Sequence, residues 1–280
     1  MCPNIQSIVS DFTEKLCAHH YAPSTVKTYK NALIKFLNAF KDYELEQISI
    51  LHVRSYIRHL QIQEDISVAY QKQILATIDK FYVFYFKQKL NLSSLYPKRK
   101  SESPPNYLTA LEVRSLLSHC NNLKHLCVLK ILYGCGLRVS EVISLVLKDI
   151  DPKAMRLIIR SPKDQKYRTV PLPKSLFQSL RKYYSAYGPK YYLFEGQKTE
   201  KYAVKSIQNF IKKYARAATI QKNVTPYVLQ HSYAIHQIEK GIDIRYVQYF
   251  LGHHSLKTTE RYTRFTNLLK HGMANPLDSL

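Results

Sequence analysis

Near the C-terminal end of this 280-residue chain, Leu251-Gly252-His253-His254-Ser255 is followed by Thr258-Thr259-Glu260-Arg261-Tyr262, which sets a histidine and a tyrosine nine positions apart. Far upstream, Gly136-Leu137-Arg138-Val139-Ser140-Glu141 supplies an arginine, and Ser161-Pro162-Lys163-Asp164-Gln165-Lys166-Tyr167-Arg168 supplies three more cations. A phenol ionises only near pH 10, so a tyrosine is a weak nucleophile at neutral pH. It attacks a phosphodiester only where positive charge meets the non-bridging oxygens and where two protons have somewhere to go. Arginine suits the first task, because its guanidinium is permanently charged and grips phosphate through two parallel hydrogen bonds. A lysine on a turn suits the second, as an acid that reaches a departing oxygen. These are the parts needed to cut and rejoin a phosphodiester through a tyrosine, with no metal and no other cofactor.

The elements that must position them can be read from periodicity. Residues 5–92 read as a small helical bundle: Val26, Tyr29, Leu33, Phe36, Leu37 and Phe40 recur with the 3.6 period after Pro23-Ser24, as do Val53, Tyr56, Ile57 and Leu60. Ile74, Ile78 and the aromatic run from Phe81 to Phe86 read as a buried or domain-facing helix rather than a base-stacking platform. Residues 94–106 lose periodicity and gain proline, serine and the cluster Lys98-Arg99-Lys100, which marks a basic linker between a first domain at 1–93 and a second at 107–270. Residues 271–280 read as a tail. Thr109-Ala110-Leu111-Glu112 has the form of a capping box that opens the second domain. Leu157–Ile159 and Tyr167–Leu172 predict two short strands joined by the turn that holds Lys163 and Lys166. Helices are expected at 175–187, 203–218, 226–240, 243–251 and 255–264. The fold class is therefore mainly α with a small β-sheet.

Charge narrows the partner. Forty-two Lys and Arg against twenty Asp and Glu leave +22, and the excess is uneven. Residues 1–93 hold 11 basic and 8 acidic side chains (+3), whereas residues 94–280 hold 31 and 12 (+19). A field of that size on a folded domain points to a polyanion, DNA or RNA. No run approaches the roughly 20 apolar residues of a membrane span, and residues 1–20 lack the apolar core of a signal peptide. Five cysteines without a CxxC pair fit reduced thiols in a cytoplasm. His119, Cys120, His125 and Cys127 lack metal-ligand spacing, so no metal site is expected.

The set Arg138, Lys163, His253, Tyr262, in that order and in those flanking sequences, resembles the tyrosine recombinase or phage integrase family, close to its Xer-like branch. The resemblance covers about residues 5–270. It implies a helical, SAM-like core-binding domain and a mixed α/β catalytic domain that close on duplex DNA as a clamp. It also implies that Tyr262 is the nucleophile, that Arg138 clamps the scissile phosphate with Glu141 orienting the site, and that His253 donates a hydrogen bond to that phosphate. Lys163 is then the general acid, with Lys166 as its alternate. Lys98, Arg99, Lys100, Lys166, Arg168 and Arg261 are the expected DNA contacts. The implied partners are double-stranded DNA and a homotetramer assembled on it, with a second recombinase as a further candidate; the implied setting is the nucleoid in the cytoplasm.

One box departs from the family pattern. The family has His-x-x-Arg at a helix start, and here the run is Thr225-Pro226-Tyr227-Val228-Leu229-Gln230-His231-Ser232. Tyr227 and Gln230 stand where a histidine and the second phosphate arginine are expected, and neither carries charge. Arg261, Arg245 and Lys222 are candidates to fill that charge gap, and His231 reads as structural. Three readings follow: an active strand transferase that works through a 3′-phosphotyrosine, a DNA-binding accessory protein that has lost the chemistry, and a topoisomerase-like enzyme acting on one duplex.

Overall fold

The computed structural model describes residues 4–97, 105–160, 167–197 and 200–266, apart from the side chain of Phe265. These fall into two compact units, within residues 1–102 and 103–280.

The first unit is four helices: α1 (Ile5–Ala18), α2 (Pro23–Ala39), α3 (Ile50–Glu64) and α4 (Val68–Phe86). Local chemistry sets their starts. Asn4 and Ser67 accept backbone N–H groups at the heads of α1 and α4, and Pro23 occupies the first turn of α2, where its missing N–H costs nothing. The apolar stripes meet in a core of Phe12, Leu16, Leu33, Phe36, Ile57, Ile74 and Phe81. The aromatic run at the end of α4 joins it: Phe81 and Tyr82 are buried and Phe84, Tyr85 and Phe86 pack against them. The Tyr82 hydroxyl satisfies itself on the Leu45 carbonyl at 2.6 Å.

The second unit opens as its sequence suggests. Thr109 and Glu112 exchange hydrogen bonds as a capping box at the start of α5 (Ala110–Ser118). Helix α6 (Leu123–Gly134) is apolar on several sides and runs through the core, buried at Cys127, Val128, Leu129, Ile131 and Leu132. A single turn, α7 (Val139–Val142), precedes an antiparallel sheet ordered β1 (Ile150–Asp151), β2 (Arg156–Arg160), β3 (Tyr167–Pro171). Leu157 pairs with Val170 and Ile159 with Arg168, and Leu157, Ile159 and Val170 are buried in the core. Strand β1 was not expected, because two residues are too few to show an alternation. Helices α8 (Lys174–Tyr187), α9 (Val204–Ala217), α10 (Pro226–Glu239) and α11 (Ile244–Leu251) fall within a residue or so of expectation. The last, α12 (Leu256–Glu260), ends earlier than the periodicity suggests, and Tyr262 sits in the turn that follows it. No helix among the described residues is long and apolar enough to cross a membrane.

Candidate active site

The loop after α6 must turn sharply beneath α10 and α11. Gly136 makes that turn at φ +65°, and a Cβ there would stand 2.5 Å from the Tyr233 ring. The chain emerges with Arg138 at the head of α7. Its backbone N–H donates to Glu141 Oε2 at 2.7 Å, its Nη2 donates to the Gly252 carbonyl at 3.2 Å, and its Nη1 lies 3.4 Å from Glu141 Oε1. About a third of the Arg138 side chain (35%) remains exposed, so the guanidinium is held in place with one side open to an anion.

Arg168, expected as a DNA contact, is instead turned inward and engaged within the protein. Both of its terminal nitrogens grip the Glu141 carboxylate, at 2.7 and 3.0 Å, and its Nε donates to the Phe250 carbonyl at 2.8 Å. Only 11% of the side chain is exposed. The reason lies in the strand: Arg168 is two residues from buried Val170 and so points to the same face. Glu141 therefore ties two arginines together. Gly252, at φ +62°, lets the chain pass this cluster, since a Cβ there would lie 2.8 Å from Arg168 Nη1.

Gly252 also ends α11 and delivers His253. The His253 Nδ1 is 2.8 Å from the hydroxyl of fully buried Thr259. With Thr259 donating, the ring proton sits on Nε2 and is available to a ligand. Burial, and then the charge of Arg138, hold the imidazole down at about 4, so His253 is neutral at pH 7. Tyr262 stacks on it with ring centroids 6.5 Å apart. Tyr262 is 2% exposed, and burial pushes its phenol up to about 12, against the opposing pull of Arg261 and Arg138. At neutral pH the nucleophile candidate keeps its proton until something takes it.

The departing box lies on α10. Thr225 caps this helix and Pro226 starts it. Tyr227 is 56% exposed, with its ring edge-on to His231 at 4.6 Å. Gln230 is buried, and its amide Nε2 donates to the Gly136 carbonyl at 2.7 Å, bracing the loop that presents Arg138. His231, read from sequence as structural, meets Tyr262: its Nδ1 lies 2.7 Å from the phenolic oxygen.

Of the three cations considered for the charge gap, two are elsewhere. Lys222 is engaged by Glu112 at 2.6 Å and by the Tyr107 carbonyl at 3.0 Å. Arg245 is exposed on the first turn of α11. Arg261 is at the site: its guanidinium carbon is 6.0 Å from the Tyr262 ring centre, and its charge lowers both His231 and His253. Its Nε is buried with no hydrogen-bond partner among the described residues. Lys98, Arg99, Lys100, Lys163 and Lys166, and the proposed tail at 271–280, lie outside the described residues. His125 stacks on Phe210 at 4.0 Å between the hydroxyls of Tyr214 and Tyr202.

Comparison with known proteins decides the family. The model of the phage integrase family matches residues 106–267, and that of the phage integrase N-terminal SAM-like domain matches residues 8–92. The chain belongs to the phage integrase family. Tyrosine recombinase XerA of Thermococcus onnurineus is 30% identical over 94% of this chain and 92% of its own length. XerA of Pyrococcus horikoshii is 37% identical over 59% of each chain, so there the match spans just under two thirds of the relative. Among solved structures, XerH recombinase bound to palindromic difH in a post-cleavage complex aligns with a TM-score of 0.78 at 21% identity, over 92% of this chain and 81% of that one. A lambda integrase tetramer bound to a Holliday junction aligns at 0.76 and 18% identity, over 92% and 76%. At those identities the structures bear on the fold, which is the SAM-like helical domain followed by the integrase catalytic domain. Membership carries the class of activity, site-specific DNA strand cleavage and rejoining, and these comparisons do not favour the accessory reading.

Proposed function

We propose that this chain exchanges DNA strands through a 3′-phosphotyrosine formed on Tyr262, with an altered phosphate clamp. The observation that carries the reading is the packing of a buried tyrosine against His253 within the fields of Arg138 and Arg261. Arg138 grips a non-bridging oxygen of the scissile phosphate, and neutral His253 donates to it through Nε2. Arg261 supplies the second positive charge that Gln230 does not. The Tyr262 oxygen attacks phosphorus, the bond to the 5′-oxygen breaks, and Lys163 is the proposed donor of the proton that this oxygen needs. The tyrosyl ester retains the phosphodiester energy, so the released 5′-hydroxyl of a partner strand reverses the step without a nucleotide or a metal ion.

Two duplexes exchanged at one tyrosine per protomer require four copies, and the match to a lambda integrase tetramer on a Holliday junction supports that assembly. Residues 94–106, with Lys98, Arg99 and Lys100, are proposed to follow the duplex between the units. The large positive charge beyond residue 93 gives DNA binding that weakens with salt as counterions return. The setting proposed is the nucleoid in the cytoplasm.

The test is recombination in vitro. An inverted repeat selected by the protein from a random-sequence duplex pool is placed on two plasmids, in the presence of EDTA and without nucleotide. Exchange by the wild type and none by Tyr262→Phe is expected, with equal binding of both to the repeat. Relaxation of single plasmids without exchange between them would replace this reading with the topoisomerase-like one.

A further inference from the structure

The phenol that must lose a proton already touches a group that can take it. We propose that His231 accepts the phenolic proton of Tyr262 as that oxygen attacks phosphorus, a task that the exposed Tyr227 at the departing box does not fill. This rests on Tyr262 being the nucleophile.

The geometry is that of a preformed proton path. His231 Nδ1 and the Tyr262 oxygen are 2.7 Å apart, within ordinary reach of a donated O–H, and their ring centroids are 5.4 Å apart. Both residues are buried, at 8% and 2% exposure, so water does not compete for the contact. The helix that carries His231 is anchored beside it: Ser232 Oγ accepts the Leu108 N–H at 2.9 Å and donates to the Val228 carbonyl at 2.7 Å. Tyr227, one turn earlier, sets its ring edge-on at 4.6 Å and covers the imidazole. A neutral imidazole that accepts through Nδ1 carries its proton on Nε2.

The charges around the ring favour that neutral form. Burial, and then Arg261, hold His231 down at about 4, so at pH 7 its acceptor is free. The groups facing it are Tyr227 on its own helix, Arg261 and Tyr262 after α12, and His253 after α11. A phosphate drawn in by Arg138 adds negative charge to this cluster. That charge stabilises an imidazolium and makes His231 a stronger base as attack begins. The protons balance. The bond from Tyr262 to phosphorus forms as the phenolic proton moves to His231 Nδ1. The bond to the 5′-oxygen breaks as that oxygen takes a proton from Lys163. In rejoining, His231 returns its proton to the departing phenolate.

The experiment uses the full chain and a nicked suicide duplex that carries the selected inverted repeat, in two versions: one with the natural 5′-oxygen and one with a 5′-bridging sulfur, which leaves without needing a proton. Single-turnover formation of the covalent adduct is followed for wild type, His231→Ala, His231→Asn and Tyr262→Phe, with binding measured by mobility shift. Loss of the base is expected to slow adduct formation by on the order of 10²–10⁴. Sulfur is expected not to restore the rate, because the defect lies on the attacking side. An asparagine can accept the O–H but cannot hold the proton, so His231→Asn should bind DNA normally, stay slow and lose the fall in rate that the wild type shows at acid pH. If the alanine variant fails to bind DNA, the asparagine variant carries the test alone. A rate for His231→Asn within about threefold of wild type overturns the proposal, because a positioning contact would then suffice. So does recovery on the sulfur substrate, or an unchanged acid limb. A wild-type adduct absent, or one that survives Tyr262→Phe, overturns instead the reading of Tyr262 beneath it.

Discussion

The two walls of the site are built on opposite principles. On the β3 and α7 side, Glu141 binds Arg138 and Arg168 together, and the backbone carbonyls of Phe250 and Gly252 take further donors from the same arginines. On the α10 side no residue of the box is charged: Tyr227 faces outward, Gln230 braces the Gly136 carbonyl, and the neighbouring His231 is neutral beside Tyr262. The first wall is a rigid frame for charge. The second braces a loop and sets a neutral imidazole against Tyr262. The second positive charge proposed for the site comes from the segment that carries Tyr262, where Arg261 sits.

The largest effect should come from the charged frame. Glu141→Ala leaves Arg168 buried without its partner, a loss of about 3–5 kcal/mol of stability for a broken buried pair. Thermal denaturation should show it as a large drop in melting temperature. Replacing Arg168 by methionine in the same chain should recover much of that stability, yet leave cleavage slow, because Arg138 stays unsupported. If the double variant cleaved like wild type, the frame would have no role in orienting Arg138.

Next in size is the charge on the nucleophile's segment. Arg261→Ala should lower the rate of adduct formation by on the order of 10²–10³, the cost of one preorganised donor. Lys222→Ala and Arg245→Ala should change it only slightly. Gln230→Arg with Tyr227→His should raise the rate in an otherwise wild-type chain, and should recover a larger factor in the Arg261→Ala background. Equal gains in both backgrounds would show that the two positions act independently and that Arg261 does not fill the gap.

The smallest effect concerns the neutral imidazoles. His125, His231 and His253 are each held at about 4 by burial first, against an ordinary value of 6.5. A group whose value falls on folding stabilises the fold above its unfolded value, and that stability is lost as pH falls. Melting temperature should thus decline from pH about 6.5 towards 4, and the decline should be shallower in His125→Gln, which leaves the site untouched. A decline of unchanged steepness would mean that His125 is not one of its sources.

Much of this architecture was legible because it is local. The 3.6 period gave a small helical bundle at the start of the chain, and Thr109 and Glu112 gave the capping box that opens the second unit. What escaped was direction. Arg168 looked like a surface cation because its charge was read before its register, although Val170 two residues on already fixed the face. His231 looked structural because a lone histidine inside a helix usually is. The role proposed for it depends on Tyr262, 31 residues away, and no local pattern reports a contact of that separation.

If Tyr262 joins the DNA, identifying the joined residue will show it. Wild-type protein would be trapped on the nicked suicide duplex, digested, and the DNA-linked peptide sequenced by mass spectrometry. The account requires the DNA-bearing peptide to hold Tyr262, linked to a 3′-phosphate. A linkage through another residue, or to a 5′-phosphate, would contradict it.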